Sequence, residues 1–355
     1  MLQLDYIIDS FSKTKVRKMK PFIRNLLRMS VYQIKYMDAV PDSAVCNEAV
    51  KLAKRHKFAQ LSGFVNGVLR NIARNIDSVQ FDTLSIRYSM PQWIVDRFVA
   101  AYGEKKAEEI FKAFHSKSTI SIRTNLTRCT PDELRAMLEA EGVTVTAVDE
   151  LNYAFVISGF DYLNGLQSFR DGLFYVQDIS SMLVAQTAAP KKGDYVIDVC
   201  AAPGGKSTHI AELLQGSGHV LARDLTDNKV DMIEENIDRH GLNNMSAEVW
   251  DATVFDADSA GKADILICDL PCSGLGVLGR KKDIRYKMTP ESVDELAALQ
   301  RQILDTVHTY VKPNGVLVYS TCTIDEAENE DNVRWFIEKH PEFELDKNFA
   351  EGTGM

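Results

Sequence analysis

Two cysteines, each directly after an apolar run, carry the most informative chemistry in this sequence. Cys272 lies in the segment DLPCSG (residues 269–274), and Cys322 lies in STCT (residues 320–323). A structural cysteine is usually a small buried apolar side chain, but here the neighbours include Ser, Thr and Gly. We therefore interpret these two as reactive thiols. The cysteines that we interpret as buried side chains are Cys46, Cys129 and Cys268.

A pair of thiols suits the methylation of a pyrimidine ring carbon. The C5 carbon of cytosine is a poor nucleophile, but addition of a thiolate to the neighbouring C6 allows C5 to attack a methyl donor, which is covalent catalysis. A base must then remove the ring proton so that the adduct can break down. Asp269, close to Cys272 in sequence, is placed to act as an acid near the ring nitrogen. Methylation of an exocyclic amine needs no thiol, so the pair favours a carbon acceptor.

A turn upstream of both cysteines is typical of a ligand-binding site. It joins a predicted strand (195–199) to a predicted helix (207–214), so glycines and helix N–H groups would face a ligand. It matches neither the phosphate-loop pattern nor the dinucleotide fingerprint, and its glycines could merely permit a tight turn. The residues of the turn are Cys200, Ala201, Ala202, Pro203, Gly204, Gly205 and Lys206.

Three carboxylates follow the next predicted strands at the same edge of the sheet. They belong to Asp224, Asp251 and Asp269. A carboxylate at the end of the second strand can accept hydrogen bonds from ribose hydroxyls. Three of them around one crevice suit a ligand with a ribose and a positive charge, such as S-adenosyl-L-methionine. Any one of them could instead be a helix cap.

Metal binding is the alternative use of these thiols. Cys268 and Cys272 are four residues apart, but His209, His240 and His308 lie on predicted helices at no ligand-like spacing. A closed zinc site needs four ligands at suitable spacing. We therefore expect no metal site.

The pattern of elements predicts three parts. Residues 1–78 are helical, residues 79–176 form a small α+β module, and residues 177–355 alternate between strands and helices. Such alternation predicts an α/β Rossmann-like domain, with a doubly wound, mainly parallel sheet and ligands at the carboxyl ends of its strands. Residues 1–75 carry 14 Lys and Arg against 5 Asp and Glu, whereas the rest of the chain carries 27 against 45. This asymmetry favours an N-terminal part that meets a polyanion, although a solvated basic helix face would also explain it.

Composition limits the location of the protein. No apolar stretch approaches the roughly 20 residues of a membrane helix, and the N-terminus lacks the pattern of a secretory signal. Six irregularly placed cysteines are typical of reduced thiols in the cytoplasm. We expect a cytoplasmic monomer.

In combination, these motifs closely resemble the ribosomal RNA cytosine-5 methyltransferases of the Sun/Fmu (RsmB) type. The resemblance covers nearly the whole chain and includes the helical N-terminus, which is similar to part of a NusB-like domain. Besides the segments above, the matching motifs are NGVLR (66–70), RTN (123–125), VQDISS (176–181) and ENE (328–330).

The resemblance implies a role for the two cysteines, for the turn and for the three aspartates. Cys322 is the nucleophile on cytosine C6, Cys272 assists adduct breakdown, and the turn with the three aspartates binds S-adenosyl-L-methionine. The target is a single unstacked cytosine of small-subunit (16S) ribosomal RNA. The basic residues expected to contact RNA are Arg123, Arg280, Lys281, Lys282, Arg285 and Lys287, although those after Cys272 could be a solvated loop.

The chain departs from the family at both ends. The NusB-like segment lacks its first helices, and after Phe343 there is no room for the final pair of strands. We therefore expect a truncated chain of lowered stability or solubility, because lost edge strands expose backbone and apolar surface. Two alternatives stay open: a non-catalytic RNA-binding or ribosome assembly factor, and the same chemistry on transfer RNA.

Overall fold

The computed structural model describes residues 1–116 and 119–346. The chain divides into two compact units, Met1–Ser116 and Lys117–Met355. Among the described residues, no helix combines the length and the apolar character needed to cross a membrane.

The first unit is all helical. Its helices are α1 (Leu2–Phe11), α2 (Pro21–Tyr36), α3 (Asp42–Arg55), α4 (Ser62–Asn75), α5 (Leu84–Arg87) and α6 (Gln92–His115). Pro21 occupies the first turn of α2, where its missing N–H costs nothing. One face of each of the first four helices is apolar, and these faces bury residues such as Ile7, Leu27, Ala53 and Leu69 in one core.

Helix α6 contains one irregularity. Gly103 has φ +75° inside the helix, so the helix is kinked there. Glycine tolerates this left-handed conformation because it lacks a Cβ atom.

The second unit begins with an antiparallel sheet of four strands in the order β2-β3-β1-β4. Its elements are β1 (Ile120–Thr124), α7 (Pro131–Ala140), β2 (Thr144–Val148), β3 (Leu151–Ser158), α8 (Gln167–Arg170) and β4 (Phe174–Val176). The alternation of apolar and polar residues over 118–125 predicts a strand, and the structure has it at Ile120–Thr124; Ser118 lies outside the described residues. Helix α7 begins at Pro131 because Thr130 and Glu133 form a capping box at its start.

A parallel sheet of five strands follows, in the order β7-β6-β5-β8-β9. Its elements are α9 (Ile179–Ala188), β5 (Tyr195–Asp198), α10 (Gly205–Leu213), β6 (His219–Asp224), α11 (Asp227–His240), β7 (Met245–Val249), β8 (Ala263–Asp269), α12 (Ile284–Lys287), α13 (Pro290–Val307), β9 (Val311–Ser320) and α14 (Glu330–Lys339). Strand order reverses between β5 and β8, which creates the crevice where ligands bind in such sheets.

The apolar faces of helices cover both sides of this sheet. Val196 of β5 packs with α9, α10 and α11, whereas the next residue, Ile197, packs with α13 and α14. Consecutive side chains of a strand point to opposite faces, so near-continuous apolar runs are required. The predicted fold class, a helical segment, an α+β module and a doubly wound parallel sheet, is confirmed. The boundaries at residues 78 and 176 stay a prediction.

Candidate functional site

The two cysteines meet because they follow neighbouring parallel strands. Cys272 lies just after β8 and Cys322 just after β9, and these strands pair up to Asp269 and Ser320. Their Sγ atoms are 3.1 Å apart, and the backbone N–H of Cys322 donates to Cys272 Sγ at 3.2 Å.

The thiol pair has unequal acidity. With Cys272 as donor, the hydrogen bond between the sulfurs lowers the pKa of Cys322 to about 7 in spite of burial, and the charges of Lys281 and Lys206 act in the same direction. The same hydrogen bond, together with burial, raises the pKa of Cys272. Cys322, which is exposed, is therefore the better thiolate near neutral pH, because a thiolate is the nucleophilic form.

A buried carboxylate holds the two cysteine loops together. Glu328 is fully buried and accepts the backbone N–H of Ser273 at 2.8 Å and its hydroxyl. The Ser273 hydroxyl also lies 2.9 Å from Thr323 Oγ1. Since Ser273 follows Cys272 and Thr323 follows Cys322, this network fixes one thiol relative to the other.

Further polar side chains complete this network. Gln300 of α13 donates to Glu328 Oε1 at 3.0 Å and to the carbonyl of Pro271 at 2.8 Å. Asn332 of α14 donates to Gln300 Oε1 at 2.7 Å, and Tyr319 of β9 donates to the Glu328 carbonyl. Fully satisfied buried networks of this kind favour one arrangement of the loops.

An ion pair joins the cofactor turn to the thiol side of the crevice. Lys206 Nζ lies 2.5 Å from Asp269 Oδ2, and Ser320 donates its hydroxyl to Asp269 Oδ1 at 2.9 Å. Asp269 thus lies between the turn before α10 and the end of β9. Lys206, Asp269 and Ser320, which are far apart in the sequence, are therefore in direct contact.

The turn and the second-strand carboxylate fit S-adenosyl-L-methionine. Gly204 has φ +101° and directly precedes α10, whose first N–H groups face the turn. The carboxylate of Asp224 is oriented by the backbone N–H groups of Ala202 and Leu225, at 2.9 and 2.7 Å. Lys229 Nζ also contacts Asp224, at 2.7 Å, but its side chain is 49% exposed. Moving Lys229 would leave acceptors for ribose hydroxyls.

Other residues of the predicted cofactor site differ in environment. Asp251 is exposed, and hydrogen bonds from the hydroxyl and backbone N–H of Thr253 lower its pKa. Burial raises the pKa of the Cys200 thiol, which therefore stays protonated and unreactive. Burial also raises the pKa of Asp198 to about 7. The Asp198 carboxylate accepts the Ser207 hydroxyl at 2.5 Å, which attaches the end of β5 to the start of α10.

The basic residues predicted to contact RNA fall into two groups. Arg280, Lys281, Lys282 and Lys287 are exposed; Arg280 pairs with Asp178, and Lys287 pairs with Asp283.

The prediction that Arg123 and Arg285 contact RNA is corrected, because both side chains are buried and cannot reach an RNA phosphate. Arg285 is 4% exposed and donates to the carbonyl of Leu278 at 3.0 Å. Arg123 is fully buried, pairs with Glu212 and donates to Gln177 and Thr208.

Sequence reasoning gave no role to several residues that build the site. Ser273 and Thr323 directly follow the two cysteines, which was the available signal. Glu328 belongs to the ENE segment, but only the structure shows that the first of its two glutamates is buried and the second exposed.

Three regions of the chain match known protein families. Residues 1–74 match the NusB family, and residues 90–160 match the ferredoxin-like domain of RsmF/B-like methyltransferases. Residues 185–355 match the family described as 16S rRNA methyltransferase RsmB/F. The "Probable ribosomal RNA small subunit methyltransferase B" of Bacillus subtilis (strain 168) is 39% identical over an alignment of 353 positions, and the match covers 97% of this chain and 78% of that protein.

The chain belongs to the 16S rRNA methyltransferase RsmB/F family. The predicted family, including its NusB-like part, is thereby confirmed. The "Ribosomal RNA small subunit methyltransferase B" of Salmonella paratyphi A (strain ATCC 9150 / SARB42) is 32% identical, over 97% of this chain and 80% of that protein. The chain is a ribosomal RNA methyltransferase that uses S-adenosyl-L-methionine.

Solved structures are similar across the fold. The crystal structure of PH0851 has a TM-score of 0.82 and 27% identity, and covers 97% of this chain and 80% of that one. The structure of NSun6 from Pyrococcus horikoshii with SFG has a TM-score of 0.65 and 26% identity, and covers 70% of this chain and 87% of that one.

Proposed function

We propose that the chain methylates C5 of a cytosine in 16S ribosomal RNA through a transient bond between Cys322 Sγ and C6 of the base. The observation that carries this proposal is the thiol pair, with sulfurs 3.1 Å apart after two adjacent strands. The base must leave its stack to expose the ring face to Cys322.

Cys322 begins the reaction as a thiolate. Its addition to C6 shifts the ring electrons so that C5 becomes nucleophilic. S-adenosyl-L-methionine, when bound, supplies the methyl group that C5 attacks. The ion pair of Lys206 and Asp269 offers a proton and a carboxylate near the ring nitrogen, where charge accumulates during addition.

Cys272 acts in the second half of the reaction. Once Cys322 Sγ is bonded to C6, it no longer accepts a proton from Cys272, so the main cause of the high pKa of Cys272 disappears. The backbone N–H of Cys322, which lowers that pKa, remains. Cys272 can then give up its own proton to solvent water, and the resulting thiolate removes the C5 proton. The electrons of the C5–H bond restore the C5–C6 double bond, the Cys322 thiolate leaves C6, and the ring nitrogen returns its proton to the pair of Lys206 and Asp269.

Exposed lysines hold the RNA near the thiols. Lys281 is close enough to Cys322 for its charge to lower the thiol pKa, and Lys282 adjoins it on the surface. We infer that both contact phosphates beside the flipped base, while the basic helices of residues 1–78 contact RNA elsewhere.

The test is methyl transfer from labelled S-adenosyl-L-methionine to unmodified 16S RNA, followed by nucleoside mapping. We expect label on 5-methylcytidine, no transfer by Cys322→Ala, and a covalent RNA adduct on denaturing gels with Cys272→Ala. Cys129→Ala, distant in sequence from both loops, is the matched control and should turn over normally. Normal turnover by Cys322→Ala, or label on an exocyclic nitrogen, would refute the proposal.

A further inference from the structure

A second polar cluster lies where helices α13 and α14 end. Asp305 and His308 belong to the last turn of α13 and the residue after it, and His340 and Glu342 follow α14. The C-terminus of a helix carries a partial negative charge, so two such ends favour a cation between them.

The cluster is compact. His340 Nε2 lies 3.2 Å from Asp305 Oδ1, and the rings of His308 and His340 have centroids 4.0 Å apart. Glu342 Oε1 lies 3.6 Å from His340 Nδ1 and 3.8 Å from His308 Nε2. One ligand atom from each of Asp305, His308 and His340 lies within 4.8 Å of the others.

Two buried nitrogen atoms of this cluster lack a hydrogen-bond partner. They are His340 Nε2, whose contact with Asp305 is close but not aligned as a hydrogen bond, and His308 Nδ1. His340 is only 6% exposed. A buried polar atom without a partner costs free energy, so each such atom requires an explanation.

We propose that Asp305, His308 and His340 bind a divalent transition-metal ion of the Zn²⁺ class. Two imidazoles and a carboxylate are a donor set that zinc commonly uses, and Glu342 is in position to be a fourth ligand. Tetrahedral ligands at about 2.1 Å from the ion lie roughly 3.4 Å apart. The most distant of these ligand atoms therefore have to approach each other by up to about 1.4 Å, a distance within the reach of side-chain rotations.

Lys339 competes with the ion for Asp305. Its Nζ lies 2.8 Å from Asp305 Oδ1, and it also lies over the ring of Trp335 at 5.2 Å. The ring offers the released ammonium another partner. The metal site follows from side chains on α13 and after α14, and it is independent of the proposed cytosine chemistry.

A bound ion would tie α13 to α14 on one face of the parallel sheet. Both helices pack against the same core as β8. Binding to the folded state alone stabilises it by mass action. Zn²⁺ at a hundredfold excess over its dissociation constant should raise Tm by about 5 °C or more.

The test is equilibrium dialysis of the full chain against Zn²⁺, with Tm measured in parallel. The chain carries Cys272→Ser and Cys322→Ser, because the paired thiols could bind zinc themselves. We expect one ion per chain, a higher Tm, and loss of both effects with His308→Gln plus His340→Gln. Asp305→Asn, an exposed position, should weaken binding by at least about tenfold without disturbing the aromatic packing of the histidines.

Two further variants make the test decisive. Lys339→Ala frees Asp305 and should tighten Zn²⁺ binding, which loss of folding could not mimic. His56→Gln removes an exposed histidine of the first unit and should change nothing. Absence of bound zinc, or equal binding by the chain with and without Asp305→Asn and Lys339→Ala, would show that the cluster is only a group of ion pairs.

Discussion

Ser273 donates both its backbone N–H and its hydroxyl to the carboxylate of Glu328. Through Thr323, the same hydroxyl reaches the loop of the second cysteine. The distance between the two sulfurs is therefore set by a buried acid that touches neither of them.

Replacement of that acid should uncouple the loops. In Glu328→Gln, the amide N–H₂ group faces donors instead of accepting from them, so we expect the free energy of unfolding to fall by about 1–3 kcal/mol. The rate of methyl transfer should also fall. The pH at which alkylation of Cys322 is half-maximal should shift, because the two cysteine loops are no longer held together. Chemical denaturation and initial rates measure these effects. The exposed Glu330→Gln is the control, and equal losses in both variants would argue against the network.

The acidity of Cys322 predicts a pH profile. Alkylation by iodoacetamide should increase with pH around a midpoint near 7, because the thiol is protonated below that pH and is a thiolate above it. Cys272→Ala removes the hydrogen-bond donor and should move the midpoint upward, toward the ordinary thiol value of about 8.5. Mass spectrometry of the peptide containing Cys322 gives the rate at each pH. An unchanged midpoint in Cys272→Ala would contradict the assignment of Cys272 as the donor.

Gly276 should tolerate no side chain. A Cβ atom there would lie 2.8 Å from the backbone oxygen of Cys322, so that loop must shift. A displacement of about 1 Å can cost roughly 100-fold in rate, and we expect Gly276→Ala to lose about that much in kcat. Binding of S-adenosyl-L-methionine, measured by calorimetry, should be unaffected. Gly67→Ala, where a Cβ has no neighbour within 4 Å, should retain full activity.

Arg123 should be a stability residue. Arg123→Met leaves Glu212, whose side chain is 2% exposed, as a buried charge without its guanidinium. Breaking a buried pair in this way costs about 3–5 kcal/mol of unfolding free energy. Urea denaturation measures the loss, and Arg334→Met, which breaks a surface pair, should have little effect. An Arg123→Met variant with normal stability but weakened RNA binding would restore the original prediction.

Lys281 and Lys282 should account for part of the salt dependence of RNA binding. The affinity for RNA falls as salt rises, and each lost phosphate contact makes the negative slope of log K against log salt less steep by about 1. The double change Lys281→Ala and Lys282→Ala should therefore reduce the magnitude of this slope by about 2, as measured by filter binding. Lys262→Ala is the control, because this exposed lysine directly precedes β8 and so lies at the edge of the sheet opposite Cys272. A slope equal to that of the unchanged chain would place the RNA elsewhere.

The sequence predicted the parallel sheet because its apolar runs and intervening helices follow a simple period. It also placed Cys272 and Cys322 directly after apolar runs, and the structure shows that these runs are the neighbouring strands β8 and β9. It missed the short strand β4 and the helix α9, where apolar and polar residues show no clear period.

Side-chain environment was the part that the sequence could not supply. Arginine commonly contacts RNA phosphates, so residue type alone suggested this role for Arg123 and Arg285. Both are buried by tertiary packing, which the sequence does not reveal. The cluster of His308 and His340 was missed for a related reason. Its members come together through the packing of α13 on α14, so spacing along the chain contains no signal of it.

The six cysteines, all within the described residues, differ so much in exposure and acidity that a single one is chemically addressable. Burial raises the pKa of Cys46, Cys129, Cys200 and Cys268, and Cys272 retains its proton. Only the exposed thiol at the end of β9 ionises near neutrality. A maleimide dye or photocrosslinker could thus be attached there without removing any other sulfur, giving an optical reporter beside the crevice.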